Sequence, residues 1–178
     1  DDAAAYVIGM SLGPALAHAA PDVPREKYPE LGQRYRHHYL RQQQAIELFD
    51  GVRPLLDALR QRQHTLAVAT GKTRRGLDDA LHAAQLRHVF DDTRTADETA
   101  GKPDPLMLHE LMAALDVAPE RTLMIGDTSH DLLMASKAGC ASVGVSYGAH
   151  TPTHFSDLSP LYVAHTVAEL HAWLQQHA

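Results

Sequence analysis

Thr122-Leu123-Met124-Ile125-Gly126-Asp127-Thr128-Ser129-His130-Asp131 is the stretch that decides the fold. An apolar run of strand length ends in Gly-Asp, and a second Asp follows four residues on. Leu132-Leu133-Met134-Ala135-Ser136-Lys137-Ala138 then reads as a helix. In an open α/β sheet, ligands bind beyond the carboxyl ends of the strands. Two carboxylates there, in a turn with exposed backbone N–H groups, suit a hard cation such as Mg²⁺ and a phosphate-bearing ligand. The same spacing also suits a plain helix start, with Asp127 as the cap and Asp131 in the first turn. The surrounding segments weigh the two readings against each other.

Upstream, residues 65–70 (Thr-Leu-Ala-Val-Ala-Thr) are apolar on both faces, as in a buried parallel strand, and they lead into Gly71-Lys72. A helix is predicted over 74–84, with Leu77 and Leu81 facing inward. Val89-Phe90 reads as a short strand and 91–100 as a polar loop. In Gly101-Lys102-Pro103-Asp104-Pro105, Asp104 is a good N-cap and Pro105 a good first helical residue. The helix they start carries Leu108, Leu111, Met112 and Leu115 at helical spacing. Downstream, 141–145 and 161–164 read as strands, and Thr166 to Glu169 as a capping box before Leu170, Trp173 and Leu174. Asp50 is expected to cap a helix over 52–62 that turns Leu55, Leu56 and Leu59 inward. This alternation predicts an α/β fold: a Rossmann-like, mostly parallel sheet with helices on both faces.

The first 48 residues differ in kind. Short helices are predicted over 3–8 and 13–19, a Pro21–Pro24 linker, and a longer helix over 25–45. Leu31, Tyr35, Tyr39 and Phe49 supply its apolar face. We therefore expect a small helical cap domain at 1–48 and an α/β core domain at 49–178.

Composition narrows the function. The 178 residues are 44% hydrophobic and 21% charged, enough for one core plus a small lid. A net charge of −6 gives no basic field for nucleic acid. Nothing is long and apolar enough to span a membrane as a helix. The 13 histidines are scattered, without zinc-like spacing. The single cysteine, Cys140, excludes an internal disulfide framework and fits a reducing, cytoplasmic setting. Its neighbours Gly139 and Ala141 mark it as a small buried residue. The chain opens at Asp1-Asp2 without an initiator Met or signal-peptide pattern, so we expect the protein to begin upstream.

Three strand ends carry chemistry. Thr70-Gly71-Lys72 offers a hydroxyl and backbone N–H groups to phosphoryl oxygens, or is simply a helix cap. Lys102, between Gly101 and Pro103, is placed to neutralise a carboxylate and a phosphate together, or is a surface lysine before a helix. Asp127 is the better metal ligand of its pair, and Asp131 orients its surroundings. A hydroxyl, a lysine and two acids at successive strand ends favour the functional reading of all three.

On these motifs the chain resembles the haloacid-dehalogenase-like hydrolases, in the phosphoglycolate-phosphatase-like branch. Thr70-Gly71-Lys72 matches the family's second motif, Lys102 the third-motif lysine, and Gly126 to Asp131 the fourth, acidic motif. The stretch from Gly9 to Leu16 resembles the cap loop that approaches substrate. The resemblance implies a Mg²⁺-dependent phosphatase acting on a small phosphorylated metabolite through an aspartyl-phosphate. Asp127 would ligate the metal, Thr70, Gly71, Lys72 and Lys102 would bind substrate, and Thr70, Lys102 and Asp131 would serve catalysis. It implies no nucleic-acid or membrane partner, and both monomer and homodimer fit. The first motif, Asp-x-Asp-Gly-Thr after a strand, is absent. Val89-Phe90-Asp91-Asp92-Thr93 echoes it only superficially, so the nucleophile and the first, central strand are expected upstream of residue 1. A haloacid dehalogenase, a sugar-phosphate mutase, and a non-catalytic binding or receiver-like protein are the competing readings.

Overall fold

The computed structural model describes residues 6–10, 12–43 and 47–178, with side chains for all of these except 36 and 38–43. The cap region comprises α1 (Leu12–Ala19), a 3₁₀ turn (Arg25–Lys27) and α2 (Tyr28–Gln43). The core follows as α3 (Val52–Gln61), β1 (Ala67–Thr70), α4 (Arg74–Ala83), β2 (Asp92–Thr95), α5 (Leu106–Ala114), β3 (Leu123–Gly126), α6 (Ser129–Ala138), β4 (Ala141–Val145), β5 (Tyr162–Ala164) and α7 (Val167–His177). The helix expected over 3–8 lies mostly outside the described residues, as does Tyr39 in its side chain.

Every strand pair is parallel. β1 pairs with β2, matching Ala67 to Asp92 and Thr70 to Thr95. In a second ladder β4 lies between β3 and β5, with Gly126 opposite Gly144 and Val145 opposite Ala164. Side chains alternate across β3, as a strand requires. Leu123 and Ile125 join a core made with Leu55, Leu59, Val143, Val145, Leu170 and Leu174, the face covered by α3 and α7. Met124 points the other way, onto Met107, Leu108, Met112, Met134 and Ala135 of α5 and α6. Helices thus cover both faces, as the alternation of elements predicts.

The ladders do not join. No described residue pairs with the outer edge of β1 or with the corresponding edge of β3. Ala69 of β1 and Met124, Ile125 and Gly126 of β3 instead line one cavity of 330 Å³. This explains a departure from expectation: β1 was read as fully buried, yet Ala67 is exposed and Val68 to Thr70 only half-buried. One flank of the strand has no neighbour among the described residues.

Four local expectations are corrected. Val89-Phe90 is not a strand; β2 lies in the stretch read as a polar loop. Its side chains bond laterally, Arg94 to Asp92 at 2.8 Å and to Glu110 at 3.0 Å, while Arg74 reaches Thr93 and Glu98. A charged, β-branched edge strand is stable there and deters pairing with other chains. Asp50 does not cap α3: Gly51 takes the cap position at φ 86°, where glycine avoids the Cβ penalty. Tyr35 and Phe49 are exposed, and on α2 it is Gly32 that is buried, beneath Leu12. At α7 Thr166 accepts from Glu169 N–H, but the Glu169 carboxylate accepts from His165 N–H, so the expected box is half-formed.

Candidate active site

The carboxyl end of β3 builds the site. Thr128 is the N-cap of α6 and forms a complete capping box with Asp131. One Asp131 oxygen accepts from Thr128 N–H at 3.1 Å and from its hydroxyl at 2.7 Å. The other takes Lys102 Nζ at 2.5 Å. Both charges are buried, with side chains 9% and 3% exposed for Lys102 and Asp131. Asp131 can lie so close to the strand end because residue 126 is glycine: a Cβ there would sit 2.2 Å from Asp131 Cβ.

Asp127 has the opposite environment. It is half-buried and lines the cavity. Ala149 N–H donates to its Oδ2 at 2.9 Å, and His150 N–H to its main-chain oxygen at 3.0 Å. A Cβ on Gly148 would lie 2.4 Å from that Oδ2, so the loop after β4 fits against the carboxylate only with glycine. Tyr147, on the same loop, has its phenol pushed above the ordinary range by burial and then by the Asp127 charge.

Lys102 approaches from the loop before α5, where the Lys102–Pro103 bond is cis. Asp104 accepts from Leu106 N–H at 3.0 Å, but the N-cap position of α5 falls one residue later than expected, on Pro105. Lys102, Asp127 and Asp131 therefore meet at one cavity. Thr70, Gly71 and Lys72 do not line it, although Ala69, directly before them, does. Thr70 is no helix cap; Thr73 has that task, accepting from Gly76 N–H at 3.2 Å. Thr70 Oγ1 accepts from Lys72 N–H at 3.2 Å, which leaves its O–H as a donor.

Asp91 is structural, as its place in the sequence suggested. It accepts from Leu66 N–H at 2.8 Å and pairs with Arg60 at 2.7 Å. Cys140 is buried, with its thiol pushed up by burial. Among the described residues no group of three His, Cys, Asp or Glu side chains is arranged to hold a metal ion by itself. Sequence reasoning missed Thr128, His130, Gly148 and His150. The Thr-x-x-Asp spacing was a signal for the first; the loop residues had none.

With this geometry in view, residues 1–145 match the profile of the haloacid dehalogenase-like hydrolase family. The chain belongs to that family. It is 31% identical to the phosphoglycolate phosphatase of Vibrio vulnificus over 162 residues, covering 90% of this chain and 68% of that protein. It is 29% identical to the pyrophosphatase PpaX of Halalkalibacterium halodurans, over 89% of this chain and 75% of the relative. A 5'-nucleotidase of Pseudomonas aeruginosa is 41% identical over 64% of this chain and 56% of its own length. Among solved structures, a hydrolase from Pseudomonas syringae superposes with a TM-score of 0.89 at 24% identity, covering 99% of this chain and 83% of the other. That likeness speaks for the fold: a Rossmann-like parallel core flanked by helices, with further helices ahead of it. No described helix is long and apolar enough to cross a membrane.

Proposed function

We propose that the protein is a Mg²⁺-dependent phosphatase that hydrolyses a small-metabolite phosphomonoester, phosphoglycolate or a compound of similar size, through an aspartyl-phosphate. The observation that carries this reading is the meeting of Lys102 and Asp127 in the lining of the cavity between β1 and β3. Family membership and relatives named as phosphatases of small phosphates support it.

The nucleophile comes from a strand preceding Asp1 that occupies the cavity. Both flanking strands are members of parallel ladders, so an inserted strand would pair with two edges that no described strand covers. Running parallel, it would present its C-terminal residues beside Asp127 and Lys102. A carboxylate there is the attacking group, and a second one serves as acid and then base. Residues 1–48 form the cap domain and 49–178 the core.

Asp127 fits a hard cation: it is an oxygen donor, half-exposed, and fixed by Ala149 N–H. Among the described residues there is one such carboxylate, and Mg²⁺ accepts one or two with water and phosphate completing the shell. The cation supplies charge neutralisation to the phosphoryl group when bound. Lys102 gives one of its N–H donors to Asp131 and directs the others to phosphoryl oxygens. Thr70 donates its hydroxyl, with Gly71 and Lys72 supplying further contacts. Asp131 acts through Lys102, as a positioning residue. The reading includes a cytoplasmic location, supported by the lone, buried Cys140.

The test is Mg²⁺-dependent hydrolysis of phosphoglycolate, pyrophosphate and a nucleoside monophosphate by the protein extended upstream by its native segment. We expect activity that Asp127→Asn removes. An extended protein that is inert across the panel and does not bind Mg²⁺ overturns the assignment.

A further inference from the structure

Two histidines, His130 on α6 and His150 in the loop after β4, are not used by the chemistry above. They are 3% and 2% exposed. Each aims a ring nitrogen at the same atom, the main-chain oxygen of Tyr6 in the cap region: His130 Nε2 at 2.8 Å and His150 Nε2 at 3.2 Å. A carbonyl oxygen only accepts, so both Nε2 atoms carry the proton. For His150 the far side agrees, because its Nδ1 accepts from Ser129 N–H at 3.0 Å. The imidazole is thus held in one tautomer, with one nitrogen on the helix start and the other on the cap. The Tyr6 ring closes the arrangement, edge-on to His130 at 5.0 Å and stacked over His150 at 5.9 Å between centroids.

The segment anchored this way crosses the strand-end loops. A Cβ on Gly71 would lie 2.7 Å from the Gly9 carbonyl oxygen, and one on Gly9 would lie 3.0 Å from the Thr128 side chain. The cap segment therefore lies on the turn after β1 and on the N-cap of α6 at once. The first contact leaves no room for a side chain, and at the second, where Gly9 has φ 90°, a side chain would be strained.

We propose that His130 and His150 form a two-pronged latch that holds cap residues 6–10 shut over the strand-end loops, through paired N–H donation to the Tyr6 carbonyl. They are positioning residues for the cap and touch no reacting group. The latch stands on these contacts alone and does not depend on the phosphatase reading.

The test uses hydrogen exchange on the 178-residue chain and two substitutions at His130, since His150 also satisfies a helix-start N–H and its loss would disturb the fold. His130→Leu fills the site without a donor, whereas His130→Gln restores one. We expect His130→Leu to speed exchange across residues 7–19 about fivefold to tenfold, the effect of one lost hydrogen bond on a local opening. Exchange in β3 and α6 should stay unchanged, and His130→Gln should recover most of the protection. Equal exchange in the Leu variant and the parent, identical Leu and Gln variants, or protection lost evenly through α6 overturns the latch. A measurement without substitution runs beside it: ¹⁵N-histidine spectra must show His130 and His150 protonated at Nε2, with His150 Nδ1 bare. An Nδ1–H tautomer at His150 overturns the proposal even where a variant fails to fold.

Discussion

Removing the Asp131 carboxylate should cost far more than removing its partner, and the structure says by how much. In Asp131→Ala the Lys102 ammonium stays buried with its counter-charge gone. Stranding a buried charge in this way costs about 3–5 kcal/mol. The Asp131 half of the α6 capping box, the acceptor for Thr128 N–H, is lost as well, worth about 1 kcal/mol. The converse, Lys102→Met, leaves Asp131 with both Thr128 donors, so its carboxylate is not orphaned. The cost is then that of one hydrogen bond to a charged group, about 1.5–3 kcal/mol.

In the Lys102→Met background no ammonium remains to be stranded, and Asp131→Ala should cost only its half of the capping box, about 1 kcal/mol. The pair should therefore show a coupling of at least about 2 kcal/mol in a double-mutant cycle. Urea unfolding of the four proteins measures it, with far-UV circular dichroism as the probe and Trp173 fluorescence as a second signal from the opposite core. Additivity within about 0.5 kcal/mol would show that Lys102 and Asp131 do not share their charge as the geometry requires. Equal costs for the two single variants would refute the claim that Thr128 supports Asp131 independently.

Gly148→Ala places a Cβ on the Asp127 carboxylate and should displace it; calorimetry should show Mg²⁺ affinity falling by about tenfold with little change in urea midpoint. Acid should loosen the β2 edge first. The Arg74 guanidinium holds the Glu98 carboxyl down at about 2, a hydrogen bond from Leu66 N–H lowers Asp91, and one from the Thr95 hydroxyl lowers Asp97. Depressed carboxylates stabilise the fold above their unfolded range near pH 4 and lose that contribution as pH falls toward 2. Glu98→Gln should flatten the stability profile between those limits, read from thermal midpoints, and leave it unchanged at neutral pH relative to its own value at pH 6.

Legibility followed burial. Where helix-period apolar residues meet a core, as Leu55 and Leu59 or Leu108, Leu111 and Met112 do, the sequence specified the element. Thr122 to Gly126 was equally plain, because only a strand places Leu123 and Ile125 on one face and Met124 on the other. β2 was illegible because its stability comes from lateral ion pairs, which leave no apolar alternation to read. The cap positions misled by one residue or more: Gly51 stands where Asp50 was expected, and Thr73 does what Thr70 offered as one choice. The convergence of Lys102 on Asp131 followed from their order at strand ends. His150 on the Tyr6 carbonyl did not, since the residues are far apart in sequence and His150 lies in irregular chain.

The acidic motif posed a choice between helix capping and chemistry, and the structure divides the two between its residues. Asp131 completes the capping box that Thr128 opens, and its charge is matched within the fold by Lys102. Asp127 neither caps nor meets a cation of this chain among the groups that line the cavity, whose charged members are Lys102, Asp127 and Asp131 alone. The lining therefore carries one net negative charge. A phosphate dianion approaching it meets repulsion unless a cation arrives first, and in a partly enclosed site of low dielectric that repulsion is not well screened. Under the proposed function, inorganic phosphate should bind the extended protein weakly without Mg²⁺ and at least about tenfold more tightly with it, a coupling of about 1.4 kcal/mol. By the reciprocity of linkage, phosphate must raise Mg²⁺ affinity by the same factor. Asp127→Asn removes the carboxylate that would hold the cation and should shrink the gain that Mg²⁺ gives to phosphate binding. If phosphate binds the parent protein equally well with and without Mg²⁺, Lys102 is not neutralised by Asp131 in the way their contact implies, and the division of labour between the two aspartates fails.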